Sequence, residues 1–318
     1  MKKILVTGCL GQIGSELVPH LRKIYGDDNV VGTDIRKVEG SKVIEGGPFE
    51  ILDVLDAKKM GEIAKKYKCD TIVHMAALLS AVAEAKPALA WELNMGGLFN
   101  ALEVARENKC SFFTPSSIGA FGSTTPKAKT PQDTIQRPET MYGVTKVSGE
   151  LLCDYYNKKF GVDTRGVRFP GLISYVAPPG GGTTDYAVDI YYKALQEGKY
   201  NSYIAEGTYM DMMYMPDALN AVVKLMESNP EKLIHRNAFN ITAMSFEPSQ
   251  IAAEIKKHIS NFEMTYEVDP VRQGIANTWP DSIDDTCARE EWGFENKYNL
   301  ENMTTDILDK LRKKLDIK

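Results

Sequence analysis

The chain lacks any apolar run of the roughly 18–20 residues needed to cross a bilayer, so no membrane partner is expected. It also lacks a basic run. With 38 Lys and Arg against 43 Asp and Glu, the formal net charge is −5, which argues against a nucleic-acid surface. Histidine is scarce: His20, His74, His235 and His258 lie far apart, with no His-x-x-x-His pair. Five cysteines (Cys9, Cys69, Cys110, Cys153, Cys287) are dispersed with no Cys-x-x-Cys spacing, so no metal is expected and the thiols suit a reducing, cytoplasmic setting. The N-terminus runs straight into a strand pattern, with no signal-like apolar segment or small-residue cleavage site. Neither an internal repeat nor a low-complexity tract is visible. What remains is 318 residues, 43% hydrophobic, enough for a large core in one domain or two closely packed lobes.

Lys3 to Thr7 is a short apolar run, followed by Gly8, Cys9, Leu10, Gly11, Gln12, Ile13 and Gly14, then a helical pattern in Leu17, Val18, Leu21 and Ile24. Strand, glycine-rich turn and helix in that order suit a diphosphate. The glycines let the backbone approach it, and the helix start offers free N–H groups and the positive end of a dipole. The next strand pattern ends in Asp34, twenty residues past Gly14. A carboxylate there can accept from both ribose hydroxyls and repels a 2′-phosphate, which favours NAD over NADP, although Arg36 nearby could pair with that phosphate. A third strand leads to Asp53 and Val54; Asp53 either reaches an adenine amino group or caps the helix that follows. After that helix, over 57–67, the apolar strand 71–75 ends in Met75, Ala76 and Ala77, small enough at the tip to admit a cofactor. Apolar strands alternating with helices predict a parallel sheet covered on both faces, with ligands at the strand C-termini. Ser80 lies just past one such end. His74 reads as a packed core residue.

Pro87 opens a long helix pattern through Asn94 to Val104, and the strand 110–114 leads to Ser117. In the helix pattern beginning at Met141, Tyr142 and Lys146 are four residues apart and share a face. Positive charge beside a phenol favours the phenolate, so the pair reads as a general base for an alcohol, with the Ser117 hydroxyl holding the substrate oxygen. Residues after Phe169 must choose the substrate. An irregular, mobile loop is expected over 178–182, delivering Thr183, Thr184 and Asp185 to a helix start. Hydroxyls and free N–H groups there suit a carboxylate, and Asp185 could face an ammonium group; a plain helix cap is the alternative. Trp279 either closes over the substrate or packs in the core. The segment 204–220 contains no basic residue, and its methionines read as packing. The tail, 300–315, reads as an amphipathic cover helix.

The glycine triplet, Asp34, His74 to Ala77, Asn94, Ser117 and Tyr142 with Lys146 together resemble the extended short-chain dehydrogenase/reductase superfamily over the first half of the chain. The resemblance implies a Rossmann-type doubly wound parallel α/β sheet, an NAD-binding lobe at 1–169 and a smaller interleaved substrate lobe at 170–318. It implies that Ser117 polarises the substrate hydroxyl and Tyr142 is the acid/base. Lys146 would bind the nicotinamide ribose and tune Tyr142, Asn94 would help to place Lys146, and a homodimer would pair through the helices around Asn94 and Tyr142. A narrower likeness, carried by Ala77 to Ser80, Pro115 to Gly122, Arg168 to Ser174, Gly182 to Ala187 and Asn277 to Pro280, covers nearly the whole chain. These stretches resemble the NAD-dependent L-threonine 3-dehydrogenases of that superfamily. The implied reaction is oxidation of the β-hydroxyl of L-threonine to 2-amino-3-oxobutanoate, with Ser80, Gly182, Thr183, Thr184, Asp185 and Trp279 about the substrate. Several members carry threonine where Ser117 stands, and either hydroxyl donates and accepts. The alternative is a sugar-nucleotide epimerase/dehydratase that retains NAD; the arginine such enzymes use to grip a diphosphate is missing from 204–220.

Overall fold

The computed structural model describes residues 1–176 and 182–317, so the irregular loop expected over 178–182 lies outside the described residues except for Gly182. The first elements alternate as the apolar pattern requires: β1 (Ile4–Thr7), α1 (Gly14–Tyr25), β2 (Val30–Asp34), the single turn α2 (Lys42–Glu45), β3 (Phe49–Ile51), α3 (Ala57–Lys66) and β4 (Thr71–His74). Then come α4 (Ser80–Ala85), α5 (Pro87–Trp91), α6 (Gly97–Asn108), β5 (Ser111–Phe113), β6 (Ser116–Ser117), α7 (Met141–Phe160) and β7 (Thr164–Arg165). Six strands form one parallel sheet in the order β3-β2-β1-β4-β5-β7, with Ile4 in register with Val30 on one side and Thr71 on the other. The winding reverses between β1 and β4. That reversal opens a crevice at the strand C-termini, where open α/β sheets bind ligands. The doubly wound sheet expected from the strand pattern is the observed one.

The period of two divides β1 between two cores. Ile4 and Val6 pack with α1, while Leu5 faces the other side with Met60, Ile63, Leu102 and Cys153 from α3, α6 and α7. The remainder supplies β8 (Val167–Phe169), β9 (Gly171–Ile173), α8 (Tyr186–Glu197), β10 (Lys199–Ser202), β11 (Met210–Tyr214), α9 (Met215–Glu227), β12 (Phe239–Asn240) and β13 (Met244–Phe246). It ends with α10 (Pro248–His258), β14 (Glu263–Tyr266), α11 (Pro270–Ala276), α12 (Thr286–Trp292) and α13 (Leu300–Lys314). With β6 these strands build two three-stranded sheets, β13-β11-β9 and β12-β8-β6, and the pair β10-β14. Val222, Leu225, Phe239 and Trp292 share the core of Ile4 and Val6, so late segments return to cover the first sheet. A separate core joins Tyr186, Tyr191, Met212 and Ile251 to Ile307 and Leu311 of α13, the amphipathic tail helix. Among the described residues no helix is long and apolar enough to cross a membrane.

One local feature departs from the sequence pattern. The long helix expected from Pro87 is interrupted by a turn of π-helix at 92–96. A widened turn of this kind re-aims a side chain, and the residue at its centre is Asn94.

Candidate active site

The glycine turn closes because side chains are absent from it. Gly8 has φ +64°, and a Cβ there would stand 2.7 Å from the Ala76 backbone; a Cβ on Gly14 would stand 2.5 Å from the Gly8 carbonyl oxygen. The turn therefore presses against the β4 tip and the start of α1, leaving a backbone cradle at a helix N-terminus. At the tip of β2, the Asp34 carboxylate accepts from the Leu10 N–H at 3.0 Å and the Arg36 N–H at 3.1 Å, which fixes it beside the turn. Arg36 also donates its Nε to Asp34 at 3.3 Å, from a side chain that is mostly exposed. Asp53 accepts from the Leu55 N–H at 3.0 Å, while Asp56 is the residue that caps α3. This donor set and cradle fit a dinucleotide.

A cleft of about 1080 Å³, including the part open to solvent, runs along the strand C-termini. Of the residues expected to meet the cofactor, Gly8, Gly11, Gln12, Ile13, Gly14, Met75 and Ala77 line it, whereas Asp34, Arg36, Asp53, Val54 and Ala76 lie outside its wall. All the residues expected to meet the substrate line it: Ser80, Ser117, Tyr142, Gly182, Thr183, Thr184, Asp185 and Trp279. Among the described lining residues, Lys146 is the one cation and Asp185 the one anion.

Tyr142 lies in the first turn of α7, whose start is capped by the Thr140 hydroxyl accepting from the Gly143 N–H at 3.1 Å. Lys146, one turn on, holds its ammonium 5.3 Å from the Tyr142 ring centroid and donates to the Pro115 carbonyl at 2.7 Å. Ser117 ends β6, and its Oγ accepts from the Gly119 N–H at 3.1 Å. Gly119 is the meeting point: a Cβ built there would be 3.2 Å from the Tyr142 ring and 3.5 Å from Ser117 Oγ. Serine, phenol and ammonium are thus brought to one wall of the cleft. Asn94 and Lys146 line one small cavity behind the cleft, and no hydrogen bond joins them among the described residues. Asn94 exchanges hydrogen bonds with the Leu78 backbone at 2.8 and 3.2 Å and donates to the hydroxyl of Thr145, the residue before Lys146, at 3.1 Å.

Also lining the cleft, Thr183–Asp185 forms a tight turn leading into α8. Asp185 accepts from the Gly182 N–H at 2.8 Å, and the Tyr203 hydroxyl donates to the Gly182 carbonyl at 3.1 Å. Trp279 is buried and still faces the cleft, so it packs in the core and borders the site at once. Its segment is tied down by Lys127 donating to the Asn277 carbonyl at 2.7 Å.

His74 is a core residue, as expected. Its Nδ1 pairs with the Thr7 hydroxyl at 2.9 Å, and burial, with the charge of Lys146 adding to it, pushes its pKa down to about 3. Burial likewise pushes the Cys9 thiol, behind the glycine turn, up to about 12, so it stays protonated and inert.

Beneath the cleft lies a polar lattice that sequence reasoning passed over. Glu150, one turn beyond Lys146 on the same face of α7, is buried and accepts from Arg168 Nε at 3.0 Å and Nη2 at 2.8 Å, from Gln136 at 2.9 Å, and from the Ser116 hydroxyl. Arg168 spends its remaining donor on the Gln132 carbonyl and Asn240 Oδ1. Ser116 and Arg168 are also register partners in β6 and β8. A helix position four residues after Lys146 was the available signal for Glu150.

Comparison with known proteins agrees with this geometry. Residues 4–242 match the NAD dependent epimerase/dehydratase family. The solved L-threonine dehydrogenase of Clostridium difficile is 66% identical, covering 99% of this chain and 98% of its own, with a TM-score of 0.98. A GalE-like L-threonine dehydrogenase from Cupriavidus necator, in its holo form, is 45% identical over 97% of this chain and 99% of its own, with a TM-score of 0.94. An uncharacterized epimerase/dehydratase of Staphylococcus aureus (strain USA300) is 61% identical over all of this chain and 99% of its own length. The cradle, the carboxylate beside it and these likenesses identify the cofactor as NAD, and the chain belongs to the NAD dependent epimerase/dehydratase family.

Proposed function

We propose that the protein oxidises the β-hydroxyl of L-threonine to give 2-amino-3-oxobutanoate. The observation that carries this reading is the composition of the one cleft that joins the glycine turn to Ser117, Tyr142 and Lys146 and then to Thr183–Asp185. Its single described cation, Lys146, is committed beside Tyr142, so a diphosphate group would find no arginine fork there. A small zwitterion instead meets hydroxyls and one carboxylate.

In this reading Ser117 holds the substrate oxygen and the Tyr142 oxygen takes its proton. Lys146 keeps positive charge beside the ring, anchored by the Pro115 carbonyl, with further N–H donors left for a ribose. Bound NAD supplies the two-electron acceptor for the hydrogen leaving the β-carbon. Ser80, Thr183 and Thr184 orient the carboxylate, Asp185 supports the ammonium end, and Trp279 closes the apolar side. The active unit is a homodimer formed through α6 and α7. This is supported by Phe99, Val144, Leu151, Tyr155 and Phe160, large apolar side chains all exposed on those two neighbouring helices. A cytoplasmic setting belongs to the same proposal, supported by five unpaired thiols.

The deciding experiment incubates purified protein with NAD and L-threonine and follows NADH. Accumulation of one NADH per threonine consumed supports the reading. Turnover of a sugar nucleotide with no net NADH, and none with threonine, would replace it by an epimerase.

A further inference from the structure

Away from the cleft, three side chains converge whose chemistry the proposed oxidation does not use. Cys287 and Glu291 are four residues apart on α12 and so share one face of that helix. His235, from the turn that precedes β12, lies against them. One donor atom from each of the three falls within 4.8 Å of the other two. None of them lines the cleft.

We infer that His235, Cys287 and Glu291 form a binding site for a borderline-soft divalent cation of the zinc type, structural rather than catalytic. Imidazole, thiolate and carboxylate are the donors zinc takes, at about 2.0–2.3 Å, with water free to complete a tetrahedron. Bonds of that length bring three donors to roughly 3–4 Å of one another, so side-chain rotation on the order of an ångström closes the present arrangement.

A second observation points the same way. His235 pairs through Nδ1 with Glu291 Oε1, while its other nitrogen, Nε2, lies 3.3 Å from Asp133 Oδ2. A metal-binding histidine commonly donates its second N–H to a carboxylate in this fashion, which fixes the tautomer and turns the first nitrogen to the metal. On binding, the thiol proton and the proton shared between His235 and Glu291 are released and their places are taken by the metal.

The site would join three segments. Glu291 already accepts from the N–H groups of Ile234 and His235, at 2.5 and 3.1 Å. It thereby braces a turn in which Arg236 and Ala238 adopt positive φ, 43° and 56°. The cation would add a second attachment to α12, through Cys287, and would draw the Asp133 segment into that brace.

The test uses the full chain, stripped with a chelator and titrated with Co2+ and then Zn2+. A site built as described gives a thiolate-to-cobalt charge-transfer band that saturates at one Co2+ per chain and is bleached by Zn2+. Cys287→Ser removes the band. Asp133→Asn, at an exposed side chain that cannot threaten folding, weakens Zn2+ affinity by about tenfold or more. If Glu291 only braces the turn, no such band forms, bound zinc stays well below one per chain, and Asp133→Asn changes nothing. Stoichiometric zinc retained unchanged in Cys287→Ser would equally overturn the proposal. Because the site stands apart from the cleft, NAD-dependent turnover in Cys287→Ser should match that of the parent, so failure here leaves the dehydrogenase reading untouched.

Discussion

Glu150→Ala is the perturbation whose cost the structure specifies most fully. Glu150 and Arg168 form a pair in which both side chains are 7% exposed, and the carboxylate accepts from three different residues. Removing it leaves the guanidinium with only the Gln132 carbonyl and Asn240 Oδ1 as acceptors. Breaking one side of a buried pair costs about 3–5 kcal/mol, most of it the uncompensated charge. At about 2 cal/mol/K of unfolding entropy per residue, a chain of 318 residues loses about 5–8 °C in Tm for that cost. Circular dichroism melts of the NAD-free protein read this directly. Glu197→Ala is the internal control, since it breaks the exposed pair with Lys193 and should give no resolvable shift. Ser116 is held by Glu150 and precedes Ser117, so kcat should fall in the variant while NAD affinity, which depends chiefly on the glycine turn and Asp34 at β1 and β2, stays close to the parent's. A melt unchanged to within about a degree would refute the reasoning that this lattice fixes β6 and β8 against α7.

Further predictions follow from single residues. Asp34→Asn removes the charge that would receive the ribose hydroxyls; NAD affinity should drop about 10–100-fold and the preference over NADP should shrink, read by fluorescence titration of both cofactors. Leu151→Glu, at a side chain 64% exposed on α7, should move the protein from dimer to monomer in light scattering without lowering the helical signal. Asp211 is buried, and burial raises its pKa from 3.8 to about 7 despite hydrogen bonds from Thr242 and the Ile283 N–H. The folded state therefore holds a proton that the unfolded state has lost. The stability this gives is full below about pH 4 and is lost as pH rises to about 7, at up to about 1.4 kcal/mol per pH unit. Asp211→Asn should flatten that slope in denaturant melts and be the more stable form at pH about 8; an unaltered slope would show that Asp211 does not cause it.

How much of this was readable beforehand depended on whether the signal was local. The β1 run, the glycine turn and the helix after it are consecutive, and steric exclusion at Gly8 and Gly14 writes itself into residue type, so the first unit and its place at the strand C-termini were legible. Tyr142 and Lys146 were legible for the same reason, as neighbours on one helix turn. Asn94 was marked as buried and partnered, but the π-turn around it carries no sequence signature, and its partners, the Leu78 backbone and Thr145, could not be named from the sequence. The pairing of Glu150 with Arg168 went unmarked because a charged residue is ordinarily a solvated one; only tertiary contact shows that these two satisfy each other. Asp53 had two readings, and its carboxylate turns to the Leu55 backbone. The spacing of histidines and cysteines excluded local metal motifs, yet His235, Cys287 and Glu291 meet from segments separated in sequence.

Tyr142→Phe isolates the proton transfer from the substrate alcohol to the Tyr142 oxygen, because one oxygen is deleted while the ring stays against Gly119. The measurement is turnover of L-threonine alongside NAD affinity in the same preparation. In Tyr142→Phe kcat should fall about 10²–10⁴-fold with NAD binding preserved. Turnover within a few-fold of the parent, with NAD bound as before, would contradict that transfer.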